Sequence, residues 1–181
     1  VTVSLDTNYR SKLWSIGKAS RVIGELMRYT DICITNPGDI KDLFGIVSDK
    51  ADFDLKKPNN EGAASVAEKL MKRYPLKGAA LTLRTNLSAS DNDFGAMLCG
   101  GEATVFSRKY RMHIADRVGG GDAFAAGLIY SLLKQKAPQE AVEFATAAAV
   151  LKHSVEGDFN RVAVSEVESL AGGDGSGRVQ R

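Results

Sequence analysis

No stretch of the sequence approaches the roughly 20 consecutive apolar residues that span a bilayer, which excludes a transmembrane helix. Neither charge dominates: 24 Lys plus Arg face 22 Asp plus Glu, for a net charge of +2. Proteins held to nucleic acid by phosphate neutralisation carry a marked basic excess, so no nucleic-acid partner is expected. The chain opens VTVSLDTNYR, without the initiating Met, basic stretch and apolar stretch of a secretion signal. Only two cysteines occur, Cys33 and Cys99, and they lack CxxC spacing. Together these absences predict free thiols in a reducing, cytoplasmic setting. His113 and His153 are lone histidines and HExxH is missing, so a structural zinc site is not expected. A GxSxG elbow and a GxxxxGK[ST] loop are also lacking, which removes support for serine-triad hydrolysis and for a Walker A nucleotide site.

What is present suits one folded domain: 181 residues, 44% hydrophobic and 25% charged. Residues 1–5 have strand composition and stop at the turn-rich Asp6-Thr7-Asn8. Ile16, Ala19, Val22, Ile23, Leu26 and Met27 have the spacing of one helical face. Residues 32–34 read as a buried strand, 36–39 as a helix start leading into 40–46, and 60–74 as a longer amphipathic helix stopped by Pro75. Residues 79–83 form the next buried strand. Three alternations of strand and helix predict a parallel sheet covered on both faces.

Later segments differ. Residues 96–98 and 103–106, joined by 99–102, read as a β-hairpin. An apolar run covers 123–133, Pro138 opens an alanine-rich helix, and Ser165 with Glu168 predicts a capping-box start for a last short helix. The glycine-rich end, 171–181, is expected to be mobile. With no repeat or linker, residues 1–181 form one α/β unit. A bare opening strand and few strands for a sheet point to the second half of something longer.

Eighteen glycines are about 10% of the chain, above the usual 7% or so. Three of them, Gly119, Gly120 and Gly121, precede Asp122 and the apolar run. Bare N–H groups at a helix start attract phosphate. A carboxylate there makes sense if it takes a proton from a hydroxyl attacking a phosphoryl group. A plain glycine turn with Asp122 as the helix N-cap explains the same residue types, and both readings stay open. A dinucleotide fingerprint fits worse, since Phe124 takes the third glycine position.

The segment DRVGGGDAF, residues 116–124, resembles the C-terminal signature D-T-x-G-A-G-D of the ribokinase-like (PfkB) carbohydrate kinases, with Arg117 for Thr and Gly120 for Ala. Residues 6–14, 106–110 and 152–161 are similar to the bacterial 2-dehydro-3-deoxygluconokinase branch of that family. The resemblance covers essentially the whole chain. It implies a ribokinase-like fold, a mostly parallel sheet flanked by helices on both faces with a C-terminal-side β-hairpin, of which only the C-terminal half is present. The other half would carry the lid and much of the sugar pocket.

By the same resemblance the activity is ATP-dependent phosphorylation of 2-dehydro-3-deoxygluconate, a sugar acid. Asp122 is then the general base and Gly119, Gly120 and Gly121 the anion hole. Asn8, Thr82 and Arg84 lie near the nucleotide, with Arg84 in place of a glycine. Arg10, Asp122 and Asp158 lie near the substrate, and a guanidinium suits a carboxylate bidentately. Asn36 and Asp39 correspond to the motif that organises Mg²⁺, here through water. Two plainer readings stand beside these: residues 36–39 as an ordinary helix start, and an Asp6–Arg10 pair that only braces its turn. Arg108, Lys109 and Arg111 read as a solvated hairpin edge. Another sugar kinase of the family (fructokinase-like), or a nucleotide-binding fragment without turnover, are the alternative functions. The expected partners are small molecules, sugar acid and ATP, with a homo-oligomer left open.

Overall fold

Three strands run parallel: β1 (Ser4–Asp6), β2 (Ile32–Thr35) and the longer β3 (Gly78–Asn86). Each of the first two is followed by a helix, α1 (Ile16–Leu26) after β1 and α2 (Pro37–Phe44) after β2, and α3 (Asn60–Arg73) leads into β3. The computed structural model describes residues 1–101 and 103–173. After β3 the direction changes. The strand β4 (Asp91–Gly100) returns antiparallel along the whole of β3. On its far side β4 carries two short partners: β5 (Ala103–Phe106) opposite residues 97–100, and β6 (Tyr110–His113) opposite 91–94. The result is a six-stranded mixed sheet with β1 at one edge.

The expected sheet, helices and hairpin are therefore found, but the hairpin is larger than its sequence announces. Cys99 and Gly100 belong to the strand rather than to the turn, and β6 is an added element. Arg108 and Arg111 lie on the solvated side of this region as expected, Arg111 bonded to Asp93 at 3.0 Å and Arg108 beside Glu143 at 3.4 Å.

Side-chain alternation along β3 feeds two cores. Ala79, Leu81 and Leu83 join one cluster with α1, α2 and α3. Ala80 faces the other, built with α4 (Gly120–Leu133) and α5 (Pro138–Lys152). The last helix among the described residues, α6 (Val164–Ala171), packs on the outer side of α5 through Val167 and Phe144. Its start is not the expected Ser165–Glu168 box: the backbone N–H of Ala163 donates to Glu166 at 2.7 Å, so the cap lies two residues earlier. Of the tail expected to be mobile, Ala171 closes α6, and 174–181 lie outside the described residues.

The small residues of α5 let α4 approach closely. A Cβ on Gly127 would stand 3.0 Å from Ala145 Cα and 3.2 Å from Ala148 Cβ. That approach holds the start of α4 over the carboxyl ends of β1, β2 and β3, where open α/β sheets bind ligands.

Candidate active site

A cleft of about 510 Å³ opens at those strand ends. One wall comes from the turns after β1 and β2, the other from β3, the loop entering α4 and the end of α5.

On the first wall, Asn36 is the N-cap of α2: its side-chain oxygen accepts the Asp39 N–H at 2.9 Å, and Pro37 takes the first helical position. The plain helix-start reading is thus realised, an interaction contributing ~1 kcal/mol. It does not use up Asp39, whose Oδ2 accepts from the Thr7 hydroxyl at 3.0 Å and the Tyr9 N–H at 3.2 Å. Asp39 therefore ties the β1 turn to the β2 turn while lining the cleft. Asn8 adopts a left-handed φ of 33°, with its N–H bonded to Asp6 Oδ1 at 3.1 Å. The expected Asp6–Arg10 brace is absent from the ion pairs of the described residues. Asp6 accepts from Asn8 instead, and Arg10 donates to the Tyr9 carbonyl at 3.1 Å. Enclosure in the cleft raises the Asp6 carboxyl above the ordinary carboxylate range. The Asn8 N–H and Arg10 oppose this, while the charges of Asp122 and Asp39 add to it.

The opposite wall is basic. Arg84 projects from β3, which runs on to Asn86 beyond the end expected for it. Loss of hydration against the cleft wall, then the nearby charges of Arg117 and Arg10, hold its guanidinium below the usual range. Arg117, in the loop entering α4, donates to the Ala89 carbonyl at 2.6 Å. Thr82 lies deeper on the same face of β3, its hydroxyl 3.5 Å from the Thr35 carbonyl.

The start of α4 completes the site. Gly119 is its N-cap with φ 79°, a left-handed conformation that other residues adopt at a cost. The first helical turn leaves the N–H groups of Gly120, Gly121 and Asp122 without helical acceptors. Gly121 lines the cleft, and a side chain there would meet open space. Asp122 is the third helical residue, exposed and without a hydrogen bond among the described residues. The N-cap reading of Asp122 is overturned, because Gly119 holds that position.

Two residues of the quoted segments to which the sequence reading gave no role hold this turn. Asp116 accepts the N–H groups of Val118 and Gly157, each at 2.9 Å, and these bonds keep its carboxyl below the usual range. Fully buried Lys152 donates to the Val155 and Gly157 carbonyls at 3.2 and 2.8 Å. The 155–158 loop is thereby pinned against Gly119, where a Cβ would lie 3.0 Å from the Asp158 carbonyl. Asp158 sits in a loop beside the glycine turn, outside the residues that line the cleft. Among the expected site residues, Asn8, Arg10, Asn36, Asp39, Thr82, Arg84 and Gly121 line one cavity, with Asp122 at its rim.

The donor set suits a hydrated hard cation. The charges of Asp39, on the same wall, and of Asp122, at the rim, both bear on Asp6, yet among the described residues no three acidic, Cys or His side chains are close enough to share a bare metal ion. Mg²⁺ keeps several waters and meets such carboxylates through them or beside phosphate.

Residues 2–162 match the pfkB family of carbohydrate kinases. The chain belongs to that family. Its fold superposes on a 2-dehydro-3-deoxygluconokinase of Thermotoga maritima with a TM-score of 0.88 and 40% identity, over 96% of this chain and 50% of that one. A PfkB family carbohydrate kinase of Listeria grayi gives a TM-score of 0.82 and 33% identity, over 95% and 50% of the two chains. A 2-dehydro-3-deoxygalactonokinase of Haloferax volcanii is 26% identical over 174 residues, 96% of this chain and 48% of the relative. The chain thus spans about half the length of these carbohydrate kinases. Both cysteines of this family member are buried free thiols, and among its described residues no helix is long and apolar enough to cross a membrane.

Proposed function

We propose that this kinase-family chain supplies the phosphoryl-transfer half of a site that moves the ATP γ-phosphoryl group to a hydroxyl of 2-dehydro-3-deoxygluconate. One observation carries the reading: an unpaired carboxylate, Asp122, on the third residue of a helix whose glycine start opens onto a cleft with acidic and basic walls. The N–H groups of Gly119, Gly120 and Gly121 and the helix dipole receive the phosphoryl oxygens. Asp122 accepts the proton of the attacking hydroxyl. Arg84, with Asn8 and Thr82, contacts the nucleotide phosphates, and Arg10 pairs with the sugar-acid carboxylate. Asp158 steadies the sugar from the loop beside Gly119. Asn36 and Asp39, with Asp6 on the same wall, would hold Mg²⁺ through its waters, and the ion would supply positive charge to neutralise phosphate. The relatives named for 2-dehydro-3-deoxy sugar acids favour this substrate class. The site belongs to a cytoplasmic enzyme of small-molecule metabolism.

The test compares ATP-dependent phosphorylation of 2-dehydro-3-deoxygluconate, fructose and ribose by the full-length protein. Preference for the sugar acid is expected, abolished by Arg10→Ala; a clear preference for fructose would replace this reading by a fructokinase-like one. A second reading concerns the 181-residue chain alone. Because it spans half of its relatives, it binds nucleotide without turnover; transfer needs both substrates held in line. Robust kinase activity from the isolated chain would remove that reading.

A further inference from the structure

Gly120 and His153 share one small volume beneath the glycine turn. A Cβ on Gly120 would lie 2.7 Å from His153 Nε2, so the ring fills the space a side chain at 120 would need. The imidazole is only 3% exposed, yet it lines the cleft together with Gly121, Arg84 and Arg117. Its Nδ1 lies 2.6 Å from the Ala149 carbonyl, which can only accept. Nδ1 therefore carries the hydrogen, and Nε2 keeps a bare lone pair. Among the described residues nothing donates to that lone pair. Nε2 is absent from the buried, unpartnered polar atoms of the described residues, so it meets the solvent of the cleft that its ring lines, where a bound ligand can take the place of water.

The surroundings explain why Nε2 is bare. β4 offers the apolar ring of Phe94, 5.8 Å away, and the charge of neighbouring Asp93 is bonded to Arg111. β3 offers Arg84, the loop entering α4 offers Arg117, and α5 offers Lys152. Asp116 in that loop is occupied by two backbone N–H groups. On α4 the charged side chain is Asp122, at the exposed rim, while Tyr130 stacks on Phe144 away from the cleft, and Asp6 and Asp39 stand on the far wall. Burial and the three cations keep the imidazole below its ordinary pKa, against the pull of the Ala149 bond. An anion bound between Arg84, Arg117 and the α4 N–H groups reverses that field.

We infer that His153 is a phosphate-contacting residue: when an anion occupies the glycine turn, Nε2 takes a proton from solvent and donates it in a hydrogen bond to a phosphate oxygen. No bond of the ligand is made or broken, and charge balances because one proton enters with the anion. This rests on the phosphoryl-transfer reading of the cleft and adds a ligand contact from α5 to it.

The chain contains two histidines, so ring-nitrogen NMR of the ¹⁵N-histidine-labelled 181-residue chain reads His153 directly. His113→Gln assigns the spectrum, since His113 is exposed and bonded to Asp91 at 3.0 Å on β6. Without ligand, the His153 Nε2 signal should stand at the bare-nitrogen position. With saturating MgATP it should move to the protonated position, its proton affinity rising about tenfold or more, while His113 stays put. Nucleotide bound with Nε2 still bare overturns the proposal. Absence of MgATP binding in a calorimetric titration of the same sample would instead sink the kinase reading of the cleft, and this proposal with it. His153→Gln, which cannot take the charge, should weaken MgATP about tenfold and remove the pH dependence of binding; unchanged affinity and pH dependence would count against the contact. The wild-type arm decides even where the variant fails to fold.

Discussion

At Asp122 the choice between capping and catalysis becomes measurable. Gly119 caps α4, so Asp122→Asn should leave the melting temperature near that of the wild type. If Asp122 is the base, the same change lowers kcat of the full-length enzyme by ~10²-fold or more, with MgATP affinity unchanged or improved by the loss of a negative charge. Steady-state kinetics and a titration on one variant check both. Asp6 yields a prediction of opposite character. Its raised carboxyl means that the ionised form is disfavoured in the fold, chiefly because the surrounding cleft strips water from it. Stability contributed by this residue therefore falls as pH rises from the ordinary carboxylate value through the raised one, and the penalty is complete above it. Asp6→Asn should raise the melting temperature at neutral pH, with the gain fading to nothing in acid. Thermal melts of the pair across that range test the sign. At this scale much was legible in the sequence, because glycine runs and isolated carboxylates are local signals. Asp116 and Lys152 were not. The Asp116–Gly157 bond joins residues 41 positions apart, and the Lys152 contacts depend on the path of a loop whose sequence shows no such path.

Among the elements, α4 and α5 position the site by their closeness. Gly127→Val places three carbons where one already meets the Ala145 backbone at 3.0 Å. Overpacking of this kind costs ~1–3 kcal/mol, and each kcal/mol lowers the melting temperature by about 2–4 °C in a chain of this size. A thermal melt of Gly127→Val should show that loss, and nucleotide affinity should fall with it as the start of α4 shifts. The helices were legible because their apolar spacing is regular, as in α1 and α3, and because Pro and Asn mark their starts. The sheet was less so. The first half of β4, Asp91-Asn92-Asp93, is polar and reads as loop, yet it is held between β3 and β6. Its partner β6 carries Arg111 and His113 outward, opposite Asp93 and Asp91. Cross-strand charge pairs stand there in place of the apolar alternation that sequence reading looks for.

For the whole molecule, the two halves of the sheet divide the labour. The parallel strands present their carboxyl ends to the cleft, and the antiparallel strands form a broad support for α4 and α5. The sheet also buries both thiols, Cys33 in β2 fully and Cys99 in β4 at 8% exposure. Burial, with the charges of Asp6 and Asp39, pushes the Cys33 thiol up to about 12. A thiol in that state is inert toward alkylating reagents, which attack the thiolate. Cys33 can therefore be labelled only during an opening of the parallel part of the sheet, whereas Cys99 is shielded by its burial in the antiparallel part. The unmodified protein thus carries two clocks, one in the parallel part and one in the antiparallel part. Mass spectrometry of peptides alkylated over time counts the openings of each part separately. Saturating MgATP, by joining the turns after β1 and β2 to the start of α4, should slow the Cys33 clock at least tenfold and the Cys99 clock less. Equal slowing would mean that the sheet opens as one piece.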